Sequence, residues 1–429
     1  MAALDKVTRI WKLPDLRKSI IFVLAMLVVF RVAAHIPIPG IDREALRLFF
    51  GQNQLLGLLN IFSGGGLERF SVVALGVGPY ITASIIFQLL AMIIPRLEEI
   101  SKDGESGQQR INMYTRWLTV PLAGLQGYGL LTLLRQGGQG SAQLLGALTV
   151  WQTILTVLTL TAGTVFLMWI GELISEKKIG NGISLLIFAG IVADIPRTLQ
   201  QTLVTFEREQ ITNLLLFAGI ALVTIAVVVL ITEAQRNVPV SYARQVRGMR
   251  MYGGVDTHLP LRVNMAGVIP IIFAISIILF PPLVAQFFLR ARTEILVQFA
   301  LFIQRIFQNQ LFYGVLYFVL VFGFTYFYTA VIFHPQKIAE NLQKQGGFIP
   351  GIRPGRPTAE YLNFVTNRII AVGALFLGLI AILPLIIQPL TGMATLAIGG
   401  TSILIVVSVV IETVKQLEAQ LTMREYEGL

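Results

Sequence analysis

Residues 71–94 read SVVALGVGPYITASIIFQLLAMII, a stretch with no charged side chain. About 20 mostly apolar residues suffice for a helix to cross the hydrocarbon of a bilayer. Lipid satisfies no backbone polar group, so a crossing segment is a helix or a strand of a closed barrel. This run is too long, and alternates too little, for a barrel strand. Its opening, Gly76-Val77-x-Pro79-x-Ile81-x-Ala83, returns later as Gly267-Val268-x-Pro270-x-Ile272-x-Ala274. A second pair follows the same order: Gly182-x-Ser184-x-Leu186-Ile187 and Gly400-x-Ser402-x-Leu404-Ile405.

Outward from that stretch, apolar runs alternate with clumps of charge along all 429 residues. The chain is 55% hydrophobic and 13% charged, with a mean hydropathy of +0.74. A soluble domain carries roughly a quarter charged residues. Ten spans are predicted, near 19–36, 71–94, 114–134, 148–170, 183–204, 212–232, 265–288, 311–333, 368–388 and 394–412. The first run lacks a small-residue cleavage motif before His35, so it reads as a retained span rather than a signal peptide. Most Lys and Arg fall in the connections 1–18, 95–113, 171–182, 233–264, 334–367 and 413–429. That bias marks these connections, and both termini, as cytosolic, with the chain in the inner membrane. The net charge of +10 is then orientation bias plus contact with anionic lipid headgroups.

In the repeat, the second span pairs with the seventh and the fifth with the tenth. Five helices per half is an odd number, so halves 1–205 and 206–429 are predicted to be inverted relative to each other. Such a repeat puts a working site at mid-depth between the halves. Counted as helix from residue 71, Ile81 lies ~15 Å deep, and Ile272 is at similar depth in its own span. Aliphatic side chains there would form a constriction that blocks ions by dewetting. The plainer reading of any such isoleucine is lipid contact or helix packing. Ile187 counts as shallow unless the cytosolic entrance is recessed. The connection Leu55–Phe70, LLGLLNIFSGGGLERF, is too short to span and too apolar for a solvated loop. It reads either as a re-entrant stopper hinged at Gly64-Gly65-Gly66 or as an interfacial amphipathic helix.

The connections 233–264 and 334–367 are long and basic. They carry Arg244, Arg247 and Arg250 in one and Arg353 and Arg356 in the other. These charges read either as topogenic or as a docking surface for a cytosolic partner. In FIPGIRPGRP the prolines and glycines brace the backbone around Arg353. Chemistry-bearing patterns are scarce. With no cysteine there is no disulfide, thiolate ligand or cysteine nucleophile. His35, His258 and His334 lack ligand spacing. There is no Walker loop, no HExxH and no intramembrane aspartate pair. Arg31 is almost the lone charge within a span, with Glu172 and Glu412 at span ends. No enzyme activity, cofactor or metal is expected. The pattern suits a passive, hydrophobically sealed path driven by a partner. The competing reading is an inverted-repeat secondary transporter with a solute and ion site near Gly180 and Gly182.

Several stretches together resemble the SecY/Sec61-alpha family of protein translocases. They are Phe30-Arg31 with HIPIPGID (35–42), NIFSGGGLERFSVVALGVGPYITASIIFQLL (60–90), GESGQQR (104–110), MWIGELISEKKIGNGISLLIFAGIV (168–192), THLPLRVNMAGVIPIIF (257–273), FIPGIRPG (348–355) and AIGGTSILIVV (397–407). The resemblance runs from end to end. It implies an all-helical, two-half clamshell around an hourglass channel for unfolded chains, with sideways release of spanning helices into lipid. It assigns the pore ring to Val77, Ile81, Ile183, Ile187, Ile272 and Ile405. Valine at 77, where isoleucine is commoner, would loosen that ring slightly. The plug and hinge fall on Asn60, Ile61, Phe62, Ser63, Gly64, Gly65 and Gly66, and the lateral gate on Gln88, Gln126 and Ser276. The family also implies SecE and SecG subunits, the SecA ATPase, the ribosome and signal-bearing preproteins as partners, with Arg353 at the partner-activating tip.

Overall fold

A computed structural model of the chain describes residues 13–39, 46, 60, 63–136, 149–204, 211–242, 245–247, 250–252, 257–289, 293–391 and 399–427. The helices of the first half are α1 (Pro14–Ala33), α2 (Gly78–Ile93), α3 (Pro95–Lys102), α4 (Glu105–Gln136), α5 (Val150–Glu176) and α6 (Gly182–Val204). The second half contains α7 (Ile211–Glu233), α8 (Ile269–Phe288), α9 (Glu294–Gln308), α10 (Gln310–Ile332), α11 (Pro335–Lys344), α12 (Arg356–Thr391) and α13 (Gly399–Glu427). The segments Glu105–Arg135, Val150–Glu176, Gln310–Lys344 and Arg356–Ile387 are each long and apolar enough to cross a bilayer. The α2–α3 pair passes the same test as a broken span bent by 105°. Shorter apolar helices cover 182–196, 218–233 and 269–282. A helix overlaps each of the ten predicted spans.

Local chemistry explains the helix ends. Pro14 opens α1, where the missing N–H costs nothing. Thr149 and Gln152 form a reciprocal capping box on α5, and Asn309 accepts from the Leu311 and Phe312 N–H groups to start α10. Ile94, forced out of the helical region by the proline after it, is extended, and there the chain bends into α3.

Several boundaries differ from expectation, among them the third span, whose helix already begins at Glu105. Residues 72–77 are turns, so the second span is helical only from Gly78. The ninth span begins at Arg356, well inside the expected loop, and the tenth runs on to Glu427. Hydropathy sees only the apolar part of such helices, and backbone hydrogen bonds carry them on into polar sequence.

The halves meet along two seams. On one, α8 packs on α2 and α4, and on the other α13 packs on α6. The long basic connections are not loops. Strand β1 (Gln235–Tyr242) pairs antiparallel with β4 (Thr257–Arg262), Val238 opposite Leu259, and with β5 (Gly347–Phe348), Ser241 opposite Phe348. The sheet order β4-β1-β5 joins the two connections into one small domain. Its core is Val238, Val240, Leu261, Leu342, Ile349, Leu362 and Val365. Between β1 and β4, β2 (Gln245–Arg247) and β3 (Arg250–Tyr252) form a hairpin.

Candidate functional site: an aliphatic junction between the halves

Val77 and Val268 cap α2 and α8 in the same backbone conformation, φ −93, ψ 4 and φ −94, ψ −7. Each follows a left-handed glycine, Gly76 at φ 59 and Gly267 at φ 62, and each precedes a proline in the first turn. A left-handed φ is open to glycine without strain, and a first-turn proline is preset for helix. The repeated letters therefore encode a repeated helix start. Gly182 begins α6, and Gly400, its counterpart in the other pair, stands at the described start of α13.

These four helix starts converge. Val77, Ile81, Ile187, Ile272 and Ile405 belong to one buried cluster with relative exposures of 2, 7, 1, 6 and 1%. Ile183, half-buried, packs against it. Residues from both halves thus close on one another with no charged group among them. Burying an isoleucine fully is worth about 1.5–3 kcal/mol, so the junction favours contact over hydration.

Depth counted along an unbroken helix from residue 71 does not hold, because 72–77 is not helical and Ile81 stands in the first turn of α2. Ile187 lies in the same buried cluster as Ile81. The start of α6 is tucked into α5. The Gly182 N–H donates to Ser175 Oγ at 2.9 Å, and Ser175 Oγ donates to the Gly171 carbonyl at 2.9 Å. The Gly171 oxygen lies 1.8 Å from where a Cβ on Gly182 would stand. Asn181 then caps the helix, accepting from Ile183 N–H at 3.0 Å and Ser184 N–H at 3.2 Å. The glycines at 180 and 182 are therefore packed tight rather than unwound around a solute.

Of the expected plug, Ile61 and Phe62 lie outside the described residues, as do 55–59. Asn60 and Ser63–Phe70 form a closed knot. Asn60 Oδ1 accepts from Glu68 N–H at 3.0 Å, Ser63 Oγ from Leu67 N–H at 3.0 Å, and the Asn60 carbonyl from Gly65 N–H at 2.9 Å. Gly64 and Gly65 are left-handed, φ 65 and 76, and Gly64 rests on Phe30 and Gly190. Arg31 Nη1 donates to the Gly64 carbonyl at 2.8 Å. The glycines expected as a hinge stand here in a buried, bonded turn and serve its tight geometry. Arg31, the lone charge in its span, has its use here. Arg116 and Glu172 form an ion pair at 2.6 Å between α4 and α5.

Gln88, Gln126 and Ser276 stand on α2, α4 and α8, three mutually packed helices. Gln88 Nε2 donates to Ser84 Oγ at 3.2 Å, while its Oε1 is buried and unpaired. Ser276 donates to the Ile272 carbonyl. On the small domain, Arg353 is exposed in a turn held by left-handed Gly351 and Gly355, and its carbonyl accepts from Thr358 Oγ1 at 2.9 Å. Arg356 pairs with Glu360 at 3.1 Å. Arg247 and Arg250 stand opposite each other in the β2–β3 hairpin, and Arg244 lies outside the described residues. The β-domain escaped the sequence reading, since its strands are short and pair across distant connections.

These features define the class: a multi-pass helical membrane protein whose two parts meet at an aliphatic junction. A model of the SecY family matches residues 71–414. A protein translocase subunit SecY from Streptomyces scabiei is 45% identical over 98% of this chain and 98% of its own length. The subunit of that name from Corynebacterium glutamicum is 45% identical over 99% and 100%, and that from Mycobacterium bovis 43% over 96% and 97%. Among solved structures, one described as a protein-conducting channel aligns with TM-score 0.63 at 17% identity, covering 93% of this chain and 91% of its own. Sec61 in a canine ribosome–channel complex aligns with TM-score 0.62 at 16% identity over the same shares. At those identities the likeness is one of fold. The chain belongs to the SecY family.

Proposed function

We propose that this chain is the channel subunit of a protein translocase, passing unfolded polypeptides across the cytoplasmic membrane and releasing spanning helices sideways into lipid. The observation that carries this reading is the aliphatic junction made by four helix starts from both halves. An apolar ring seals against ions and binds no particular side chain, which suits a path for varied sequences. In this reading Val77, Ile81, Ile183, Ile187, Ile272 and Ile405 are the pore ring. Asn60–Gly66 and the residues before them are the plug, and α2, α4 and α8, with Gln88, Gln126 and Ser276, line the lateral gate. Ten spans in two inverted five-helix halves, both termini cytosolic, fit the Lys/Arg bias and the two matched helix starts.

Partners follow from the same reading. Solved structures of similar fold include Sec61 in a canine ribosome–channel complex and a yeast Ssh1 complex bound to the 80S ribosome. SecE and SecG as companion subunits, SecA as motor and signal-bearing preproteins as cargo come with the family resemblance. The small β-domain presents Arg353 on a braced turn, which supports a docking role for it, with Arg356 close by in sequence and Arg244, Arg247 and Arg250 in the other basic connection. No catalytic step is assigned to this chain. The test is reconstitution with SecE and SecG in vesicles: SecA- and ATP-dependent import of a preprotein is expected. Saturable uptake of a small solute without preprotein import would favour a transporter instead.

A further inference from the structure

The chain segments leading into α2 and α8 are held in matching ways. In the first half the Val72 N–H donates to the Ile36 carbonyl at 3.0 Å, just beyond the end of α1. The Val72 carbonyl oxygen lies 2.0 Å from where a Cβ on Gly163 of α5 would stand. In the second half the Val263 N–H donates to the Ala234 carbonyl at 2.9 Å, the first residue past α7. The Val263 carbonyl oxygen lies 2.5 Å from the Cβ position of Gly373 in α12. Val72 and Val263 stand the same number of residues ahead of the capping valines Val77 and Val268. The two glycines also share a pattern, Gly163-x-Val165-Phe166-Leu167 and Gly373-x-Leu375-Phe376-Leu377. Both contacts are closer than any Cβ tolerates, so only glycine admits them.

Resting on the channel reading above, we infer that Gly163 and Gly373 are positioning residues. Each receives a backbone latch that ties the leader of a gate helix to the first and fourth spans of its own half. The latches stay closed in use, and motion occurs beyond them. The left-handed Gly76 and Gly267 lie between each latch and its helix, so they are the points at which α2 and α8 turn. Each gate helix then travels with its own half, and opening happens where α8 meets α2 and α4. A close crossing with no role in gating would produce the same distances in one half. The repetition of backbone hydrogen bond, close-packed glycine and hinge in both halves is what a shared mechanical duty explains.

The chain has no cysteine, so an introduced pair is unambiguous. Pro37 and Ser71 face each other in an antiparallel bridge flanked by the bonds Ile38 N–H to Phe70 O and Val72 N–H to Ile36 O. Such a pair has its Cα atoms about 4.5 Å apart, within reach of a disulfide. Pro37→Cys/Ser71→Cys is expected to export a preprotein equally well oxidised and reduced, in vesicles holding the complete complex. Export that stops on oxidation and returns on reduction would overturn the latch. In parallel, Gly163→Ala and Gly373→Ala are compared with Gly323→Ala, a position where a Cβ meets nothing within 4 Å. Hydrogen exchange in 71–77 and 263–268 is expected to rise several-fold in the first two and to stay unchanged in the third. Unchanged protection in all three would likewise overturn it. Should the alanine chains fail to fold, the disulfide comparison decides. Failure of the parent chain to export at all would count against the channel reading, whereas the exchange measurement reads the latch without reference to export.

Discussion

Arg31 and Gly64 are joined by a hydrogen bond of 2.8 Å from the guanidinium Nη1 to the glycine carbonyl, with Phe30 in the space a side chain on Gly64 would need. The end of α1 therefore holds the glycine knot in place from the side. A hydrogen bond to a charged group is worth about 1.5–3 kcal/mol. Arg31→Met is expected to loosen residues 63–70, seen as faster hydrogen exchange there, and to raise resting ion flux through reconstituted vesicles. Unaltered exchange in this segment would show that packing on Phe30 and Gly190 suffices.

The aliphatic junction makes a separate demand. Ile81→Ser combined with Ile272→Ser puts hydroxyls where two halves close on hydrocarbon, and a polar constriction stays wet. Resting conductance in planar bilayers is expected to rise, while export persists, since both side chains sit at a contact that must part. Conductance equal to the parent channel would remove the junction as the ion seal.

A disulfide joining α2 to α8 is expected to stop both secretion and insertion of spanning segments, because these helices form the seam between the halves. Reduction should restore both. Full activity with the bridge shown closed by mass spectrometry would place the exit elsewhere.

Arg353 stands exposed on a turn braced by Gly351, Gly355 and the Thr358 hydroxyl. A guanidinium grips a carboxylate or carbonyl pair with two parallel bonds, which lysine cannot imitate. Losing one partner of a buried charged hydrogen bond costs about 2–5 kcal/mol, roughly 30-fold and upward in affinity. Arg353→Glu is expected to nearly abolish SecA-driven export, and Arg353→Lys to impair it, with orientation unchanged by protease accessibility. Inverted orientation together with lost export would mark the charge as topogenic instead.

Leu362, fully buried in the small domain, offers a test of presentation without touching charge. Leu362→Ala is expected to cost about 2–5 kcal/mol of local stability. Proteolysis within 233–264 and 334–367 should quicken, and SecA-driven export should fall, while resting ion flux is unchanged. Export at the parent rate despite quickened proteolysis would separate the domain's order from its docking.

Hydropathy and local pattern alone established the membrane class, the sites of the apolar helices and the paired GVxPxI starts. Each depends on residues a few positions apart: a long apolar run must be helical in lipid, and glycine before a valine–x–proline start sets one backbone turn. Tertiary structure decided what those starts do. That Ile187 reaches the same cluster as Ile81 depends on α6 tucking against Gly171 and Ser175, which no count along the helix could reveal. That Gly64–Gly66 is a bonded knot depends on Arg31, Phe30 and Gly190, which come from two other helices. The β-domain depends on Ser241 meeting Phe348 across the whole of α8, α9 and α10. Strands of two to eight residues carry too little alternation to announce themselves, and their stability comes from partners distant in the chain, so only the folded chain brings them together.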